Sequence, residues 1–139
     1  RLANSRHNLI VNGEIAAYLV RMERSPEGQE LRRIYDLPLT RSRTPLFQMT
    51  WLVMHEITSS SPFDGLVSPE GAASAAWGPD AVIMVSFTGH DLSFSQTVYA
   101  RHVYRVKDLR WNRYFANVTE RLPDGRWCVD YSCLDELLE

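Results

Sequence analysis

The chain reads as an all-β protein, a two-sheet sandwich of immunoglobulin-like type with short helical turns. Three observations predict it. Proline and glycine cut the chain into short extended pieces. One piece, Ala81 to Thr88, is a continuous apolar run bounded by turns, the mark of a central buried strand. Roughly seven such pieces follow one another with turn signals between them, as in a sandwich. A lipocalin-type barrel is the alternative fold, but the long serine-rich loop fits a sandwich better. The 139 residues suit one domain, 1–139, large enough to bury a core without metals or disulfides.

Leu9 to Met22 is the first long strand. Ile15, Ala17 and Leu19 share one face and Ala16, Tyr18 and Val20 the other, so both faces are expected to be covered, by a sheet or a neighbouring subunit. Ser25-Pro26-Glu27-Gly28 makes a turn, since proline fixes φ and glycine accepts φ > 0. Leu31 to Thr40 returns as the second strand, and Pro38 within it suggests an edge or a bulge. Leu46 to Ile57 reads as a third strand, rich in Phe, Trp, Val and Met. Thr58 to Pro79 is a loop in which Pro69 to Trp77 has the composition of one short helix. Gln96 to Val106 alternates, with Val98, Ala100, His102, Tyr104 and Val106 on one face and Thr97, Tyr99, Arg101, Val103 and Arg105 on the other. Tyr114 to Glu120 and Arg126 to Tyr131 form a hairpin across Pro123-Asp124-Gly125. Leu134 to Leu138 reads as a terminal helical turn.

Composition excludes several function classes. Net charge is −2 and the isoelectric point about 6.1, so bulk electrostatics does not favour nucleic acid. Cys128 and Cys133 are read as reduced thiols of a cytosolic setting. No stretch reaches the roughly 18 apolar residues of a membrane helix, and there is no signal peptide. The chain opens on Arg1 and not on Met, so it is expected to be a fragment or processed product, with any membrane segment upstream. There is no phosphate-binding glycine loop, zinc spacing or nucleophile elbow. The histidines (His7, His55, His90, His102) are dispersed, so no metal site and no cofactor is expected. A hydrolytic triad of Asp91, His102 and a serine has no local motif behind it, and no enzyme activity is expected.

Four blocks carry a family resemblance. They are Arg1-Leu2-Ala3-Asn4-Ser5-Arg6; His55-Glu56-Ile57 followed by Ser61-Pro62-Phe63; the run Thr88 to Trp111 with Gly89, Arg101, Tyr104 and Trp111; and Val129-Asp130-Tyr131-Ser132 with Leu134 and Asp135. Their order and spacing resemble the cytoplasmic domain of inward rectifier potassium channels, especially the prokaryotic KirBac group. The resemblance implies an E-set type sandwich and a regulatory domain at the cytoplasmic face of the bacterial inner membrane. It implies a homotetramer ringing a central axis through which potassium ions pass. The pore segments, with a Thr-Val-Gly-Tyr-Gly filter, would belong to the same polypeptide before Arg1.

The resemblance also implies roles for particular residues. Arg1, Arg6 and His7 fall where the family approaches the membrane and senses anionic headgroups such as phosphatidylinositol bisphosphate; arginine suits phosphate because it pairs bidentately. Arg41, Arg43, Arg101 and Asp91 are candidates for intersubunit or gating salt bridges that exchange partners between states. Glu27 and Thr88 are the pore-facing candidates, one charged and one neutral, and the neutral one weakens the expectation of strong polyamine block. His55 is read as a structural hydrogen bond tying the serine loop, with a pH-sensing role as the alternative. The rival function is a soluble immunoglobulin-like module that shields lipid tails, related in fold to the Rho-GDP-dissociation inhibitors. Such a module should be monomeric with a deep apolar pocket between its sheets; a channel collar should associate fourfold and have a filled core.

Overall fold

The computed structural model describes residues 1–6, 8–67, 77–78 and 80–139. Eleven strands occur among them, in this order: β1 (Leu2–Ala3), β2 (Ile10–Arg24), β3 (Glu30–Asp36), β4 (Arg43–Phe47), β5 (Thr50–Trp51), β6 (Val82–Asp91), β7 (Gln96–Arg105), β8 (Tyr114–Phe115), β9 (Thr119–Arg121), β10 (Trp127–Val129) and β11 (Leu137–Leu138). The fold is an all-β sandwich. One layer is a five-stranded antiparallel sheet in the order β3-β2-β6-β7, with β4 also pairing β2. The remaining strands form two-stranded ladders, β1 with β5, β8 with β11 and β9 with β10.

The long strand β2 organises the sheet. One of its edges bonds β6 over nearly its whole length. The other is shared end to end by β4, opposite Ile10 to Glu14, and β3, opposite Tyr18 to Arg24. The chain crosses between those two partners at Leu37 to Ser42, where the Leu37 N–H donates to the Ala17 carbonyl and the Ile15 N–H to the Ser42 carbonyl. Alternation then sets what each face buries. Ile15, Ala17 and Leu19 point inward opposite Phe87, Val85 and Ile83, and Leu19 is 0% exposed. The reverse face holds Ala16, Tyr18 and Val20, of which Val20 is buried.

Two apolar clusters make the core. One joins Ala17, Leu19, Leu37, Phe63, Leu66 and Trp77; the Trp77 indole N–H donates to the Leu66 carbonyl at 2.7 Å, which satisfies the buried donor. The other packs Ile10, Ile15, Phe47, Trp51 and Phe87 together.

Several sequence expectations are corrected. Leu46 to Ile57 is not one strand: β4 bonds to β2 while β5 bonds to β1, so the chain changes layers between Phe47 and Thr50, and only His55 returns to a bridge, with Leu39. The second strand stops at Asp36, before Pro38. The last hairpin is confined to β9 and β10, because Tyr114–Phe115 pairs with Leu137–Leu138 instead. That pairing also makes Leu137–Leu138 extended where a helical turn was expected. The 3-10 turn lies earlier, at Tyr131–Cys133, where the Asp130 side chain accepts from the Ser132 N–H. The expected helix from Pro69 lies outside the described residues as far as Ala76. The barrel alternative is not adopted: the five-stranded sheet stays open, with β7 bonded to β6 alone among the described strands.

Gly89 sits where β2 bulges between Val11 and Glu14. A Cβ at Gly89 would lie 2.6 Å from Ile10 Cγ2 and 3.0 Å from Phe87 Cζ, so no side chain fits without displacing the core. Gly89→Ala is expected to cost about 1–3 kcal/mol of stability, and Leu19→Ala about 2–5 kcal/mol. Urea unfolding of the three proteins checks both; a Gly89→Ala protein as stable as the parent would contradict the close approach.

Candidate functional site

The leading segment is stitched to the tip of the β6–β7 hairpin by side-chain amides. The Asn4 amide donates to the Asn8 carbonyl at 3.0 Å, and the Asn4 Oδ1 accepts from the Arg6 N–H at 3.1 Å. The Asn8 amide donates to Asp91 Oδ2 at 2.7 Å, and the Ser93 N–H donates to Asp91 Oδ1 at 2.8 Å. The Leu92 N–H donates to the Leu9 carbonyl at 3.0 Å, and the Tyr131 hydroxyl to the Asn4 carbonyl at 2.8 Å. Asp91 is 1% exposed, and its carboxyl is held below the usual range, first by the Asn8 amide, then by the Ser93 and Phe94 N–H groups and the charge of Arg6. Within the chain, one Asp91 oxygen is taken by Asn8 and the other by Ser93.

The other expected residues are placed as follows. The Arg1 guanidinium lies 4.7 Å from the Phe115 ring centre and donates to the Ala116 and Leu134 carbonyls, so it clamps the C-terminal segment. Arg6 is exposed, and His7 lies outside the described residues. Arg41 stacks over Trp51 at 5.2 Å and donates to Thr44 Oγ1 at 2.6 Å. Arg43 meets Glu14 at 3.4 Å, an exposed pair of small energetic worth. Arg101 is exposed, opposite Ser86, on the same outer face of the sheet as Tyr99 and Val103.

Thr88 stands between Glu14 and Tyr99. Glu27 is in the exposed turn beyond Arg24, with its carboxyl lowered by its own backbone N–H and then the Ser25 hydroxyl. From Glu14 to Arg24 is ten residues of strand, roughly 33 Å at the usual rise. Glu27 and Thr88 therefore lie at opposite ends of the sheet.

His55 spans two segments. Its Nδ1 meets the Pro38 carbonyl and its Nε2 the Ser61 hydroxyl, both at 2.7 Å, while the Ser61 oxygen also accepts from the Phe63 N–H. With Nδ1 protonated, the ring donates to Pro38 and accepts from Ser61, and so ties the serine loop to the end of the second strand. Asp91 and His102 are not brought together: Asp91 pairs Gln96, and His102 lies six residues further along β7, roughly 20 Å away. Among the described residues no three metal-ligating side chains converge, and no helix is long and apolar enough to cross a membrane.

Sequence reasoning missed the asparagine stitch, because Asn4 and Asn8 carry no local motif. It also missed a cleft of about 540 Å³ between the five-stranded sheet and the small ladders. Ile15, Ala17, Ile83, Val85 and Phe87 line one wall, and Val53, Phe115 and Leu137 line the other. Its charged lining is Arg1, Arg101, Asp108, Arg110, Arg113 and Asp135. Tyr104 is half-buried there, and its phenol is pushed up by burial and then by Asp135.

The Asp91 contacts set a pH dependence. A carboxyl lowered in the folded state contributes stability fully above its unfolded pKa of about 3.9, and loses it as pH falls through the folded value. Asp91→Asn is therefore expected to be less stable than the parent at pH 7, with the gap narrowing below about pH 4. Urea melts from pH 7 to pH 3 check this; a gap independent of pH would show that the charge of Asp91 contributes nothing.

Comparison with known proteins follows this geometry. All of residues 1–139 match the family model described as the inward rectifier potassium channel C-terminal domain. The chain is 40% identical over 139 residues to the inward rectifier potassium channel Kirbac3.1 of Paramagnetospirillum magnetotacticum, covering 100% of this chain and 45% of that protein. It is 21% identical over 143 residues to the ATP-sensitive inward rectifier potassium channel 10 of Rattus norvegicus and of Homo sapiens, again over all of this chain and 36% of each relative. The chain thus spans less than half the length of these relatives. With a family model matched end to end and a 40% identical channel aligned throughout, the chain belongs to the inward rectifier potassium channel C-terminal domain family.

Proposed function

We propose that this chain is the cytoplasmic assembly and gating domain of an inward rectifier potassium channel. Four copies would ring the axis below the pore segments of the same polypeptide and lengthen the path of the potassium ions at the inner face of the membrane. The observation that carries this reading is the end-to-end match to the channel family. The relatives are channel domains and not enzymes, and no catalytic role is proposed. The outer face of the sheet supports association, since it leaves Tyr99 76% and Ile34 61% exposed beside Met22 and Val103.

In this reading the collar is bistable. Anionic headgroups such as phosphatidylinositol bisphosphate would bind near Arg1, Arg6 and His7 and favour one packing of the four domains. A ligand shifts the balance only by its difference in affinity for the two states. Arg41, Arg43 and Arg101 are the charges that would change partners between packings, and Glu27 and Thr88 would face the axis at different heights. Exposed pairs such as Arg43–Glu14 suit exchange, because breaking them costs little.

The lipid-shielding module is the second reading, and one observation favours it: the cleft between the layers, which the sequence assigned to such a module and not to a channel collar. A member of the channel family has that cleft, so the cleft does not separate the two readings. Oligomeric state and upstream sequence do.

The coding sequence upstream of Arg1 is expected to specify two apolar segments of roughly 20 residues around a filter of the Thr-Val-Gly-Tyr-Gly kind. In liposomes, that full polypeptide should carry potassium flux that responds to anionic lipid, and Arg43→Glu with Arg101→Glu should change the response severalfold. A start codon just before Arg1 with no membrane segments, or flux and lipid response unmoved by both reversals, would sink the gating reading.

A further inference from the structure

Asn12 and Gly13 form the bulge of β2, and each is there for a physical reason. Asn12 takes φ of 51°, a left-handed conformation that asparagine tolerates better than most residues with a side chain. A Cβ at Gly13 would lie 3.1 Å from both Phe87 Cε2 and Thr44 Cγ2, so any larger residue would press on the core. The bulge therefore sets a side-chain carboxamide next to a backbone nitrogen that no side chain shields. Asparagine is one of the thermolabile residues, and a following glycine leaves it open to attack by its own chain.

The surroundings leave this pair reactive. The Asn12 side chain is exposed, so water reaches the carboxamide. β6 gives neither residue a pairing partner, since the register passes from Val11 to Glu14. On the other edge, only the Gly13–Thr44 pair of the β2–β4 ladder has to open to free the nitrogen. β4 is five residues long and pairs with β2 alone among the described strands, and a short edge strand opens locally at lower cost than a central one. The other asparagines are placed differently. Asn4, Asn8 and Asn117 hold their side chains in hydrogen bonds, and Asn112 precedes Arg113, whose side chain hinders the nitrogen.

We propose that Asn12 is a modification site, at which the folded protein deamidates through a cyclic imide. Hydroxide removes the Gly13 N–H proton, and the nitrogen attacks Asn12 Cγ. The new N–Cγ bond replaces the Cγ–Nδ2 bond, and ammonia leaves. Water then adds to one of the two imide carbonyls. Opening at Cγ gives aspartate; opening at the backbone carbonyl gives isoaspartate, whose main chain runs through Cγ and is one atom longer. The sum is asparagine plus water giving a carboxylic acid plus ammonia, with no oxidant or cofactor. Either product adds a carboxylate near the edge where Glu14 meets Arg43 at 3.4 Å. Aspartate suits the left-handed conformation, whereas isoaspartate lengthens β2 between Val11 and Glu14, the stretch whose length sets the bulge. This inference goes beyond the channel reading and does not rest on it, because the site lies within one chain.

The test incubates the full polypeptide, folded in lipid nanodiscs, in mildly alkaline buffer made with heavy-oxygen water. Pepsin digestion in acid, where the imide does not form, then precedes mass spectrometry. The Asn12 peptide is expected to gain mass with time, to carry the heavy oxygen, and to accept methyl groups from an isoaspartyl methyltransferase. The gain should slow in acidic buffer, because it needs the Gly13 nitrogen without its proton. Peptides carrying Asn112 and Asn117 should stay unchanged over the same time. Asn12→Gly, which accepts the same φ, should remove the whole gain. The same protein unfolded in urea gives the reactivity of the pair without the fold. The proposal is overturned if the unfolded chain gains mass at Asn12 and the folded one does not, if neither does, or if Asn112 reacts as fast as Asn12. Failure here leaves the channel reading untouched, since potassium flux is measured separately.

Discussion

The structure depends on the hydrogen-bonded ladder between β2 and β6. These are the two strands that the core side chains of the five-stranded sheet chiefly come from, and every other strand of that sheet is attached to one of them. Ile15, Ala17 and Leu19 stand against Phe87, Val85 and Ile83 across this ladder, so its register fixes both apolar clusters at once. A slip of one residue would turn the three of the slipping strand outward. The second layer is far less continuous. It consists of two-residue and three-residue ladders, and its geometry relies on side-chain ties such as Arg1 to the Ala116 carbonyl and Tyr131 to the Asn4 carbonyl.

This difference between the layers explains what was legible in the sequence. Strands β2 and β7 follow from alternation, β6 from its continuous apolar run between turns, and β3 as the return after a turn. The turn at Ser25 to Gly28 follows from proline and glycine chemistry, and Gly28 has φ of 87°. The short ladders have too few residues for a pattern to emerge. Leu137 and Leu138 are strong helix formers, and only their pairing with Phe115 and Tyr114 makes them extended. Likewise, nothing local distinguishes a continuous strand from Leu46 to Ile57 from two strands in different layers. Of the residues assigned by resemblance, Arg43 and Arg101 reach the surface as their type suggests. Asp91 does not, because its partners, Asn8 and Ser93, are reached only through the tertiary fold.

The cleft and the family assignment are two independent properties of one chain. A filled core was expected of a channel collar because a ring of domains has no evident need of an internal slot. The small ladders leave that slot because they do not form a second continuous sheet. Fold alone does not decide function, and a cleft between layers belongs to neither reading alone.

The bulge at Asn12 and Gly13 has a further implication for chain length. Ile10 and Ile15 are five residues apart, and on a regular strand an odd separation would put them on opposite faces. Both point inward, opposite Asp91 and Phe87, because the bulge spends two residues of β2 against the single Gly89 of β6. Asn12 takes φ of 51° to allow it. Deleting one of these two residues would restore strict alternation with Ile10 four residues before Ile15, so Ile10 would stay inward and Asn8 would keep Asp91. Deleting one residue from the regular stretch between Glu14 and Leu19 would instead turn one part of the strand over relative to the other. The bulge is therefore a place where a single residue can be lost without turning the leading segment away from the sheet.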